Sequence, residues 1–248
     1  MHVRPALTRD LSDLGTIATT AVFDDELTQF LAPHRHEHPQ CLRLGFLRRA
    51  KKRFYDGHVV LAGVSDRDDP WWDGEEKVVG YLSAISSTQK IDNKKRPWFP
   101  LSWNALELQL LRLEELIEWY TFADRSLSRT AWLQFFNGMA GSPPFEDIKQ
   151  HWEIDHLSVD PAYQGKGFGT MLVKFVQEFA AEDKLPVVLL ASKQGRSLYK
   201  KLGFGDVGTV DMGPGQLYEA MAWYPPDTVT ADLTAKTIDC PAEQGRVI

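Results

Sequence analysis

Cysteine is almost missing from this chain: Cys41 and Cys240 are the only two in 248 residues, far apart and without metal-ligand spacing. That pattern argues against a disulfide framework and a zinc site, and reduced thiols are expected. Long apolar runs are missing as well. No stretch approaches the roughly 18 to 20 residues of a spanning helix, and the opening MHVRPALTRD has no apolar signal core, so a cytoplasmic setting and no membrane association are expected. Excess positive charge is the third absence. With 28 Lys and Arg against 34 Asp and Glu, the formal net charge is -6. Nucleic acid, which is gripped by clustered cations, is therefore a poor partner, and a neutral or cationic small molecule fits better. No internal repeat or low-complexity tract is present.

What is there suits a globular fold. The chain is 43% hydrophobic and 25% charged, and at this length roughly three quarters of the unfolded surface can be buried. One domain over residues 1–226 with a helical insertion at about 97–146 is the simplest division, followed by a C-terminal tail at 227–248. Residues His2 to Ala6 read as a strand and Thr8 as the cap of a helix with Leu11, Leu14, Ile17 and Ala21 on one face. The helical pattern resumes from Phe23 to Leu31. An imidazole-rich loop, His34 to His38, lies between Pro33 and Pro39; it reads as a solvated loop rather than a metal site.

Gln40 to Tyr55 is a helix with Leu44, Leu47, Ala50 and Phe54 on one side. Arg48, Arg49, Lys51, Lys52 and Arg53 lie elsewhere, which predicts a solvated basic face. His58 to Val64 and Lys77 to Ser86 are strand candidates. The acidic loop between them, with Trp71 and Trp72, is either a seat for a cationic amine or a surface turn. Leu106 to Tyr120 is the clearest helix, and Leu127 to Met139 is another. Both fall in the insertion, where they are expected to pack beside the central sheet as a wall or lid over the site.

The most informative stretch is Ile154 to Gly169, IDHLSVDPAYQGKGFG, leading into an amphipathic run from Thr170 to Asp183. Strand, glycine loop and helix in that order make an anion site, because glycines let main-chain N–H groups approach a ligand and the helix start presents unpaired donors. The spacing fits neither the dinucleotide fingerprint nor the P-loop. Further on, Val187 to Ala191 reads as a buried parallel strand, and Leu198-Tyr199-Lys200-Lys201-Leu202-Gly203-Phe204 as a short helix stopped by glycine. The chain closes with two antiparallel strands, from Phe204 to Val210 and from Gln216 to Tyr224, joined by a Gly213-Pro214-Gly215 turn.

Strand, Gln164-x-x-Gly167-x-Gly169 and helix resemble the acetyl-CoA pyrophosphate loop of the GNAT (general-control-related) N-acetyltransferase superfamily, and Leu198 to Phe204 resembles its tyrosine helix. The resemblance implies an α/β (α+β) fold with a mixed central sheet of about seven strands, one of them bulged and splayed, flanked by helices. It implies acetyl-CoA as cosubstrate, held by Leu157, Ser158, Val159, Gln164, Gly165, Lys166, Gly167, Phe168, Gly169, Thr170, Ser192 and Tyr199, with no metal. Ser192 stands where the superfamily often has Asn, which weakens its assignment. The resemblance also implies that the His34 to His38 loop flanks the acceptor pocket.

In the strand Trp152 to Val159 the apolar face changes phase between Asp155 and His156, and a β-bulge accommodates such a slip. Tyr199 matches the tyrosine that protonates the departing thiolate. Asp155 and Glu153 are the candidate bases, with His156 in reserve. The activity implied is acetyl transfer to the primary amine of a small molecule by direct attack in a ternary complex. A peptide or protein acceptor and a non-catalytic acyl-CoA-binding module are the alternatives.

Overall fold

A computed structural model describes residues 1–94, 102–140, 145, 147–211 and 217–226. The Pro97–Pro100 segment, the Gly213-Pro214-Gly215 turn, Cys240 and the tail at 227–248 lie outside the described residues.

Strand β1 (His2–Pro5) leads through one 3-10 turn into α1 (Leu11–Val22), α2 (Glu26–Leu31) and α3 (Pro39–Tyr55). Asp10 makes that first junction. Its carboxylate accepts from Arg4 Nη1 at 2.6 Å and from the Leu7 N–H at 2.7 Å, so the strand and the helix start share one buried anion. The chain breaks between α1 and α2 because Asp25 turns extended and caps α2 through the Leu27 N–H. Helices α1 and α3 pack closely at Gly15. A Cβ there would come within 2.8 Å of the Leu47 Cβ.

β2 (Val59–Ser65) and β3 (Lys77–Ser86) are buried along nearly their whole length, which explains why both read as continuous apolar runs rather than alternating ones. α4 (Ser87–Lys94), α5 (Trp103–Thr121) and α6 (Arg129–Ala140) follow. The charge-rich sequence of α4 is helical. Then come β4 (Trp152–Val159), α7 (Phe168–Glu182), β5 (Val187–Ala191), α8 (Arg196–Lys201), β6 (Gly205–Asp211) and β7 (Leu217–Trp223).

The seven strands form one sheet in the order β1-β2-β3-β4-β5-β7-β6. All pairs are antiparallel except β4 with β5. One face packs on α7 and α8 through Leu172, Val173, Val176 and Tyr199. The other carries α1 and α3 through Leu14, Ile17 and Ala50.

Two irregularities of β4 make the site. Ser83 faces His156 while Ala84 faces Ile154, so Asp155 is the extra residue of a bulge, where the phase change predicts it. The parallel pairing with β5 runs only from Trp152–Val187 to Ile154–Leu189. Beyond it the strands part.

Candidate active site

The gap between β4 and β5 opens into a cleft of ≈ 1480 Å³. The Asp160 N–H donates to the Val79 carbonyl at 2.8 Å. Because antiparallel partners alternate, Leu157 and Val159 turn their main-chain groups away from β3 and toward the gap. The Val159 carbonyl accepts from Gln164 Nε2 at 3.0 Å, which ties the glycine loop to the strand.

Gly165 and Gly167 have φ of 75° and 96°, a region that L side chains rarely enter. Among the described residues, no hydrogen bond uses the N–H groups of residues 165–170, and α7 begins at Phe168, two residues earlier than the sequence suggests. Unpaired donors on open glycine backbone at a helix N-terminus fit a pyrophosphate.

Of the residues expected to hold the coenzyme, all but Lys166 line the cleft. The Lys166 ammonium lies over the Trp71 and Tyr163 rings at 4.9 and 4.6 Å, leaving only its main chain for the loop. Trp71 packs beside Phe168, so it belongs to this loop and does not line the cleft. Phe168 is buried and offers its N–H rather than its ring. Ser192 Oγ accepts from the Gly195 N–H at 3.2 Å and starts the turn into α8.

The Tyr199 ring is buried at the foot of the gap, and its hydroxyl has no hydrogen bond to a described residue. Burial pushes the phenol well above its ordinary pKa, so it is protonated and can donate.

The candidate bases differ in their surroundings. Burial pushes the Glu153 carboxyl up, yet His151 and Lys90 outweigh it and hold the pKa below the usual range. Glu153 forms an ion pair with Lys90. A carboxylate so occupied is a weak proton acceptor. Burial and the nearby Arg53 and Arg49 hold His156 well below its usual pKa, and it stacks on Tyr81 with Ser158 Oγ 2.8 Å from Nε2. Asp155, on the bulge, lies 2.7 Å from Nε2 of His58, and the His58 Nδ1 is buried without a partner.

The sequence reading missed His58 because nothing local marks it. The sheet register Val59–Ala84–Ile154 brings the start of β2 beside the bulge, almost a hundred residues later in the chain.

Two further expectations change. The His34–His38 loop does not line the cleft; Leu27, Thr28 and Leu31 of α2 do. The basic residues of α3 are not a solvated face. Arg48, Arg49, Lys52 and Arg53 line the cleft, opposite Glu115, Glu118 and Trp119 of α5 and Trp132 of α6. No cluster that could hold a metal occurs among the described residues, and no described helix is long and apolar enough to cross a membrane.

A family model described as the acetyltransferase (GNAT) family matches residues 88–204. An acetyltransferase of Stachybotrys chartarum is 22% identical over 206 residues, 83% of this chain and 81% of that one. An uncharacterized N-acetyltransferase of Bacillus licheniformis is 32% identical over 81 residues, 33% of this chain and 48% of that protein. The matched part thus spans about half the length of several curated relatives.

Among solved structures, a histone acetyltransferase HPA2 and related acetyltransferase from Corynebacterium glutamicum has a TM-score of 0.56 at 15% identity, covering 90% of this chain and 96% of its own. An N-acetyltransferase from Staphylococcus aureus has a TM-score of 0.55 at 18% identity, covering 90% and 100%. These two establish likeness of fold. Residues 88–204, which hold the glycine loop, the tyrosine helix and the parted strands, match the GNAT acetyltransferase family, and the seven-stranded sheet agrees with the fold of these structures.

Proposed function

We propose that this chain transfers an acetyl group from acetyl-CoA to the primary amine of a small molecule, both bound at once in the cleft. The observation that carries the reading is the gap between β4 and β5, with the unpaired N–H groups of residues 165–170 at one end and the His58–Asp155 pair lining the same cleft. Bound there, acetyl-CoA would supply the acetyl group as an activated thioester.

The amides of residues 165–170 hold its pyrophosphate, and the main chain of Leu157 and Val159 aligns its pantetheine arm as a further strand would. The His58–Asp155 pair takes the amine proton. A primary amine of pKa near 10 is neutral only about one part in a thousand at pH 7, a penalty of roughly 4 kcal/mol that a base removes. Tyr199 donates a hydrogen bond to the sulfur as the carbon–sulfur bond breaks, and the second amine proton ends on the thiol. Holding both reactants together contributes more than either group, about 7 to 11 kcal/mol.

The walls from α5 and α6 favour a small acceptor over a protein surface. A cytoplasmic setting belongs to the same reading. The test is acetyl-CoA titration followed by thiol release against a panel of amines. Binding with amine-dependent release is expected. Failure to bind either CoA or acetyl-CoA would sink the reading, and binding without release by any amine would leave a module that does not turn over.

A further inference from the structure

On the basis of that acetyl-transfer reading, we propose that the acceptor amine also carries an anionic group, a carboxylate or a phosphate, which Arg49 and Arg53 hold in the cleft together with the indole N–H of Trp132.

The argument begins with charge pairing along α3. Its four cleft-lining cations divide into two kinds. Arg48 is bonded to Glu118, with Nη2 2.9 Å from Oε1, and Lys52 Nζ lies 2.8 Å from Glu115 Oε2. Arg49 and Arg53 form no ion pair with any described carboxylate. Arg49 instead lies over the Phe46 ring at 4.2 Å and 6.0 Å from the Trp132 ring. Asp124 acts on it only from beyond ion-pair distance. Burial first, and then the Arg53 charge, bring the Arg49 pKa down to about 10, so it stays charged at neutral pH against both effects.

Apart from Asp124, the groups that face the pair most closely are donors or neutral. The Tyr81 hydroxyl is buried beside Arg53 without a well-directed hydrogen bond. The Trp132 Nε1 is buried and unpartnered. His156 is kept neutral partly by the two guanidinium groups themselves.

Two like charges held side by side in a cleft repel each other, and folds generally pair such groups with carboxylates. α3 shows how easily this one does so: the neighbouring Arg48 and Lys52 each have a glutamate. The cavity wall that remains unpaired is therefore complementary to something that arrives with negative charge. A guanidinium fork matches the planar oxygens of a carboxylate or the oxygens of a phosphate, and the indole N–H adds a third donor. Because His156 follows Asp155 directly, an anion on Arg49 and Arg53 lies close to the proposed base. Phe46, Trp132 and Phe135 surround the remainder of the acceptor with apolar surface.

Coenzyme A also carries phosphates, so the test separates the two sources. Calorimetric titration of the CoA-saturated protein with 3-phenylpropionate, phenyl phosphate and phenethylamine compares one apolar body with a carboxylate, a phosphate or an amine alone. At least one anionic probe is expected to bind about tenfold or more tightly than phenethylamine, and which one does so identifies the group. Arg49→Gln and Arg53→Gln should each weaken that probe about tenfold while leaving acetyl-CoA affinity within about twofold.

Equal or tighter binding of phenethylamine overturns the proposal, as does a loss of acetyl-CoA affinity in place of probe affinity. If either variant fails to fold, the wild-type protein decides: the anionic probe must outbind phenethylamine and lose affinity as salt is raised. Loss of acetyl-CoA binding in the wild type would strike the acetyl-transfer reading instead, which this design reads separately.

Discussion

His58 and Asp155 meet at 2.7 Å from opposite sides of β3. Neither is informative alone: one histidine precedes an apolar strand, and one aspartate is the extra residue of a bulge. Together they set an imidazole within ion-pair distance of a carboxylate. His58→Gln and Asp155→Asn should each lower kcat by about 10² to 10⁴-fold with acetyl-CoA affinity unchanged. The double variant should fall no further than the worse single one, because the pair acts as a unit. Steady-state kinetics beside calorimetry checks both statements.

Glu153→Gln should affect turnover far less, since Lys90 already holds that carboxylate. Tyr199→Phe should slow turnover while CoA binding stays nearly intact, because only the buried hydroxyl is removed from a side chain that also packs on Phe204. Unchanged kcat in that variant would take Tyr199 out of the chemistry.

Among the elements, β4 decides most. Its bulge turns Asp155 toward the cleft, and its early departure from β5 leaves main chain free for a ligand that pairs like a strand. The loop after it depends on Gly167, whose φ of 96° is strained for any side chain. Gly167→Val should weaken acetyl-CoA binding by about tenfold or more while the protein stays folded, since one such backbone strain costs on the order of 1 to 3 kcal/mol.

The first junction gives a stability test. Burial raises the pKa of Asp10, but Arg4 and the Leu7 N–H outweigh it, so the folded value lies below the ordinary carboxylate range. A group depressed in this way contributes stability above its unfolded pKa and loses it as pH falls through the folded one. Asp10→Asn should therefore cost about 1 to 3 kcal/mol near pH 7, and the difference from wild type should vanish in strong acid. Denaturant melts at a series of pH values measure it. Gly15→Leu would damage α1–α3 packing, because Leu47 already occupies the space.

At the scale of the whole molecule, the net charge of -6 misdescribes the cleft. The cleft lining is nearly balanced in charge, and among its cations Arg49 and Arg53 form no ion pair with a described carboxylate. Binding should also couple to stability: acetyl-CoA at about 100 times its Kd adds roughly 2.7 kcal/mol, which for a chain of this size raises the Tm by about 5 to 10 °C. A thermal shift with acetyl-CoA but not with free acetate checks this.

The sequence by itself determined the glycine loop, the tyrosine helix, most strands and the phase slip in β4. Each of these is written in neighbouring residues, as periodicity, turn chemistry or a short motif. Only the tertiary structure decided that His58 stands beside Asp155, that Lys90 occupies Glu153, and that the basic stripe of α3 faces inward. Those facts depend on sheet register and on where α5 and α6 pack, and a side chain's partner across the fold leaves no trace in the residues beside it.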